Sequence, residues 1–176
     1  AINNTNPAPN NTVTIALDRS LPVSGVLTLT SGVLVNTGNI LTIGNTATGG
    51  ISGGSATTFV RGAIARTLPA SLASGSTYVF PIGKATYNPY ELVNPTTNAG
   101  GTVVVQAETF DTDSGGTAGV NMGSINTNRY WAASITSGSA NFTDTFVRLT
   151  DASSASTSAV ASSTTQGGAY DIVGGT

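Results

Sequence analysis

An all-β protein is what this sequence predicts, with a sandwich or jelly-roll-like body. Strand-like runs enriched in Val, Ile, Thr and aromatic residues recur from position 57 onward, at the spacing of about 10–12 residues typical of sandwiches and barrels. The separators between them are built of Gly, Ser, Asn and Pro, the residues that turns require. No stretch shows sustained helical periodicity in helix-forming residues.

The elements follow in chain order. Residues 1–11, AINNTNPAPNN, offer little to bury and predict a flexible arm. TVTIAL at 12–17 puts Val13, Ile15 and Leu17 on one face at period two, a short strand with an apolar side. Residues 1–17 thus form an N-terminal arm, followed by a single all-β domain over 18–150. Its first part, 25–44, is punctuated by Gly25, Gly32, Gly38 and Gly44, and Leu27/Leu29, Val33/Val35 and Leu41/Ile43 alternate with polar residues. That pattern fits either a short solenoid-like stack of rungs or a meander with Gly turns. Longer strands are expected over 57–67, 76–83, 88–93, 102–110, 129–136 and 141–150. The Ser/Ala/Thr tract 151–168 reads as a linker or long loop, and AYDIV at 169–173 as a last strand, so that 151–176 is a loop with a C-terminal strand.

Composition narrows the function. Thr, Ser, Gly and Asn make up close to half of the 176 residues, and charged residues are 8% against roughly 25% in an ordinary soluble domain. With neither Cys nor His, thiolate and imidazole metal sites, disulfides and Ser–His–Asp or Cys–His catalysis are excluded. Six scattered basic residues against eight acids leave no footprint for nucleic acid. No apolar run is long enough for a membrane-spanning helix. The chain opens at Ala1 as a processed mature protein would, and the richness in small polar residues with a single Lys suits an exported protein.

The passages GVLTLTSGVLVNTGNILTIG, FVRGAIARTLP, YVFPIG and NRYWAASI resemble Gly/Ser/Thr-rich β-repeat secreted bacterial surface proteins, adhesin-like and of Bacteroidetes type. The resemblance covers most of the chain, but its motifs are compositional. It implies export and a structural or adhesive role, with no catalytic residue to carry over.

Acid–base chemistry would have to use carboxylates. Glu108, Asp111 and Asp113 lie within six residues, and a glycosidase needs two carboxyls across a cleft. The cluster runs into a Gly-rich stretch where Asp favours turns, which reads as a polar hairpin. The same segment half matches a calcium loop, with Met122 standing where the terminal Glu would be. Calcium is therefore the one cofactor to test, with Glu108, Asp111 and Asp113 as its ligands, and no other cofactor is expected. Lys84, near Asn88, Glu91 and Asn94, is the one residue that could join an Asn covalently, which would need a pocket that depresses its pKa. Tyr78, Phe80, Tyr87, Tyr90, Tyr130 and Trp131 are candidates for a glycan-stacking platform or for the core. Tyr130 and Trp131 must point to opposite faces if they share a strand. Three N-glycosylation sequons, at Asn3, Asn10 and Asn141, are what chance supplies in so Asn-rich a chain.

Edge strands are normally protected by charge, especially Lys, and here one Lys serves the whole chain. A short apolar strand lies near each end, the arrangement by which one subunit lends a strand to the next. The expected function is a non-enzymatic extracellular structural protein, a subunit of a filament or layer that copies of the chain build head to tail. The donor strand would carry Val13, Ile15 and Leu17, with Tyr170 and Ile172 as second choice, and removing 1–17 should leave a folded body that no longer polymerises. The alternatives are a glycan- or surface-binding module of a longer adhesin, and a solenoid polysaccharide-degrading enzyme. Eight acids spread thinly over the chain argue against the last.

Overall fold

The computed structural model describes residues 1–151, 153–154 and 158–174, and these are nearly all strand, turn and loop. The first half carries β1 (Ile2–Asn3), β2 (Thr12–Thr14), β3 (Arg19–Leu21), β4 (Leu27–Ser31), β5 (Val33–Ile43), β6 (Ile51–Gly53), β7 (Val60–Leu68) and β8 (Thr77–Phe80). The second half adds β9 (Tyr90–Thr97), β10 (Val103–Phe110), β11 (Thr117–Ala118), β12 (Tyr130–Ser137), β13 (Phe142–Leu149), β14 (Val160–Ser162) and β15 (Ala169–Gly174). Among the described residues no helix is long and apolar enough to cross a membrane.

Up to β7 the chain makes three passes that stack in parallel. β1, β4 and β6 form one small sheet, with Ile2 opposite Leu29 and Leu29 opposite Gly53. β2 and β3 both pair with the long β5, which pairs in turn with β7. Apolar residues therefore lie beside apolar residues from pass to pass, as in Val13, Leu34 and Val60 or Leu41 and Ile64.

Residues 25–44 are consequently neither short rungs nor a meander. β4 and β5 belong to different sheets and are separated by a corner at Gly32, whose φ is +84° and where a Cβ would sit 2.4 Å from the Asn11 carbonyl oxygen. β5 then runs through Gly38 as a single strand. The spacing between glycines is not the structural repeat, because each backbone finds its partners one full pass away. The expected flexible arm is also absent. β1 pairs with β4, and the Asn4 amide donates to the carbonyls of Asn10 and Thr12. Asparagine amides here do by hydrogen bonding what apolar burial would otherwise do.

β10 joins β7 antiparallel and β12 joins β10, completing a sheet in the order β12-β10-β7-β5-β2. A second antiparallel sheet has the order β13-β9-β8. One buried cluster unites the two with the small parallel sheet, through Leu29, Leu34, Ile64, Val105, Phe80 and Leu92 among others. The result is an all-β, sandwich-like body. β10 alternates strictly between buried and half-buried positions, as a strand covered on one face does. β7 is central and buried almost throughout.

One charge lies inside this core. Arg66, on β7, is 1% exposed and has no carboxylate partner among the described residues. Its guanidinium donates to the carbonyls of Val79 (2.8 Å), Ala47 (3.0 Å) and Thr48 (2.7 Å), and lies 4.9 Å from the centre of the Tyr78 ring. Burial lowers its pKa to about 10, opposed by Tyr78. It ties β8 to the connection between β5 and β6.

Candidate functional site

On one side of the sandwich both large sheets end in strands that follow one another in the chain. That side is bounded by β12, at the edge of the larger sheet, and β13, at the edge of the smaller one. Between them the chain crosses from one sheet to the other through Gly138, with φ +73°, and a short 3-10 turn at Ser139–Asn141. A Cβ at Gly138 would lie 2.2 Å from the Thr102 carbonyl oxygen, so only glycine allows this crossing without a shift.

Strand register decides which side chains face the gap. Trp131, Ala133 and Ile135 lie opposite Thr109, Ala107 and Val105, the buried face of β10. Val147 and Leu149 lie opposite Leu92 and Tyr90, the buried face of β9. All five therefore project between the sheets. Whereas Val105, Ala107 and Leu92 are buried, Trp131, Ile135, Val147 and Leu149 are half-buried and Ala133 is exposed. The outer backbone edges of β12 and β13 have no strand partner among the described residues. β12 also carries no charge that would deter one.

The C-terminal hairpin lies over one end of this groove. β14 and β15 pair with each other, and β15 pairs in parallel with β11, so that Thr117 faces Ala169 and Ala118 faces Tyr170. Neither strand pairs with β12 or β13. Beneath the hairpin is a cavity of about 430 Å³, lined by Tyr90, Trp131, Val147 and Leu149 from the sandwich and by Val160 and Val173 from the hairpin. A second, of about 730 Å³, separates the hairpin from the loop that carries Met122 and Ile125. On the hairpin, Ile172 is 47% and Val173 62% exposed.

An ionic hub marks where the sandwich ends and the C-terminal segment begins. Arg129 donates to Asp111 (2.8 Å), Asp151 (2.5 Å) and the Thr86 hydroxyl (3.3 Å). Asp151 also accepts from the Ser153 backbone and hydroxyl and from Asn126. Burial alone would raise the Asp151 pKa, but the Ser153 donors, the Arg129 charge and the Asn126 amide outweigh it and hold the carboxyl below its ordinary value.

The sequence-predicted residues are dispersed. Glu108 pairs with Lys84 (2.5 Å), Asp111 with Arg129, and Asp113 accepts from the Gly115 backbone in a turn. Each acid is thus committed to its own partner, and no group of acids able to hold a metal ion exists among the described residues. Asn88 is buried with its amide on Thr86, Glu91 is paired with Arg148, and Asn94 lies in β9 with φ +53°. None of the three hydrogen-bonds to Lys84, whose ammonium meets Glu108 and lies 4.8 Å from the Phe110 ring centre.

Tyr78, Phe80 and Tyr90 are core, and burial raises the Tyr90 pKa to about 12. Tyr130 and Trp131 do point to opposite faces. Tyr130 stacks on Phe110 at 4.8 Å between centroids, and the Trp131 indole donates to the Asn88 carbonyl. Val13 and Ile15 pack against the core of their own chain, while Leu17 is 59% exposed. Tyr170 is half-buried, with its hydroxyl on the Gln166 carbonyl.

Sequence reasoning missed Arg66, the Arg129 hub and the groove. The hub joins residues 111, 129 and 151, which no local pattern connects. Comparison with family models, curated proteins and solved structures finds no match for this chain.

Proposed function

We propose that this is an extracellular structural protein, the subunit of a self-assembling cell-surface filament or layer built by β-strand addition. The observation that carries the reading is the open side of the sandwich, where two unpaired strand edges flank a row of half-buried apolar side chains. Such a groove offers an incoming strand backbone partners and sites for alternate side chains. The uncharged β12 does nothing to repel it. Export is supported by composition, poor in charge and rich in Ser, Thr, Gly and Asn.

Negative-stain electron microscopy of the concentrated protein tests this. Filaments or sheets with a regular subunit repeat are expected, and dispersed monomers over a wide range of concentration and salt would sink the reading.

A second reading, a glycan- or surface-binding module of a longer adhesin, is favoured by the stacked Phe110–Tyr130 pair beside the Lys84–Glu108 ion pair. Aromatic faces flanked by polar groups suit sugar rings. A monomer that binds glycans on an array, and loses that binding in Tyr130→Ala, would establish it instead.

A further inference from the structure

We propose that the element exchanged between subunits is the C-terminal hairpin 160–174, and that its acceptor is the groove between β12 and β13 of a second copy of this chain. The inference rests on the strand-addition reading above and assigns its donor and acceptor. Within the single chain the hairpin and the groove face one another across a shared cavity. Val160 and Val173 of the hairpin share a cavity with Trp131, Val147 and Leu149 of the groove. On a neighbour the hairpin would present the same apolar side chains to the groove, with the free edges of β12 and β13 beside it.

Three features distinguish this hairpin from the other terminal strand. Its backbone pairs with neither edge of the groove, so hydrogen-bonding capacity on β12 and β13 is left over when it sits on its own subunit. It stands above cavities of about 430 and 730 Å³ instead of packing onto the sandwich. It also leaves Ile172 and Val173 substantially exposed, apolar surface that a deeper seat between two sheets would remove from water. By contrast, Val13 and Ile15 are already packed against the core of their own subunit, and withdrawing them would uncover Leu34.

The only charge on the two hairpin strands is Asp171, and β12 has none, so charge repulsion along the β12 wall does not oppose docking. β15 would take its parallel pairing with Thr117–Ala118 to the neighbour as well.

The absence of cysteine makes the test direct. Ala133→Cys on the groove and Val173→Cys on the hairpin alter exposed positions that line the same cavity. The two single variants, mixed at assembling concentration and oxidised, should give a disulfide-linked heterodimer on a non-reducing gel. Assembly of the mixture without that cross-link would overturn the hairpin as donor and leave the strand-addition reading standing. Failure of the unaltered protein to assemble at any concentration would overturn both. The double variant is the control. A cross-link confined to one chain, in protein that does assemble, would show the hairpin remaining on its own subunit and would reject the exchange.

Discussion

The two ends of the chain carry similar short apolar strands, and the fold treats them differently. β2 is part of the large sheet, pairing with β5 so that Val13 lies beside Leu34. β15 pairs only with β14 and β11, both as peripheral as itself, and Ile172 stands at 47% exposure. A period of two in the sequence says that a strand has an apolar side. What that side meets depends on whether a sheet edge lies within reach. At the N-terminus the next pass supplies one, whereas at the C-terminus the two edges nearby flank a groove that the hairpin covers without joining.

That contrast makes unequal demands on mutation. The largest effect is expected from Leu34→Ala, which truncates the fully buried side chain beside Val13 of β2. It should lower global stability by about 2–5 kcal/mol, read as a fall in denaturation midpoint with unchanged slope. A change confined to the N-terminal arm would instead mean that β2 is an appendage.

Asp151→Asn comes next. It removes the charge from an Asp151 side chain only 6% exposed and leaves Asp111 as the remaining carboxylate on Arg129, and the local cost should be about 1–3 kcal/mol. Hydrogen exchange should quicken over 160–174 more than in β7 or β10. Acid should do the same to the unaltered protein. The folded-state pKa of Asp151 is depressed, so its contribution is complete above the ordinary carboxylate value of about 4 and is lost as pH falls through the lower folded value. Equal loosening of hairpin and core in that range would remove Asp151 as the anchor.

The smallest effect should come from Ile172→Ser, within about 0.5 kcal/mol of the parent. If it nevertheless weakens assembly, the exposed face of the hairpin acts between subunits and not within one.

How much of this was legible depended on where each residue finds its partners. From position 57 to 150 the expected strands fall close to those observed, because alternation in stretches such as 102–110 reflects one covered face. The opposition of Tyr130 and Trp131 follows from the pleat alone. The N-terminal passes were not legible in the same way. Parallel partners lie one pass apart, and the glycines mark corners such as Gly32 without marking which strands meet.

Two further features escaped for related reasons. Arg66 sits in an otherwise apolar run, where a charge ordinarily means solvent, and its three carbonyl acceptors come from residues 47, 48 and 79. The groove could not be read from β12 and β13 themselves, since being an edge is a property of what is absent beside a strand. For the same reason, truncating residues 1–17 tests folding as much as assembly, because it strips Ile2, Val13 and Ile15 from the core.

The parallel passes also govern the time course of self-organisation. None of β1, β2 and β4 can close a ladder with its immediate successor in the chain. Each waits for a strand that emerges later, as Thr12 waits for Val33 and Leu34 for Val60. β7 in turn acquires its second neighbour only with Val103–Ala107. Loop closure must precede every such contact, which places chains of this kind toward the slow, ~millisecond-to-second end of folding rates. A nascent chain that has reached Leu68 therefore first holds both partners of every parallel pair from β1 to β7, and the large sheet gains its antiparallel half only once β10 and β12 have been made.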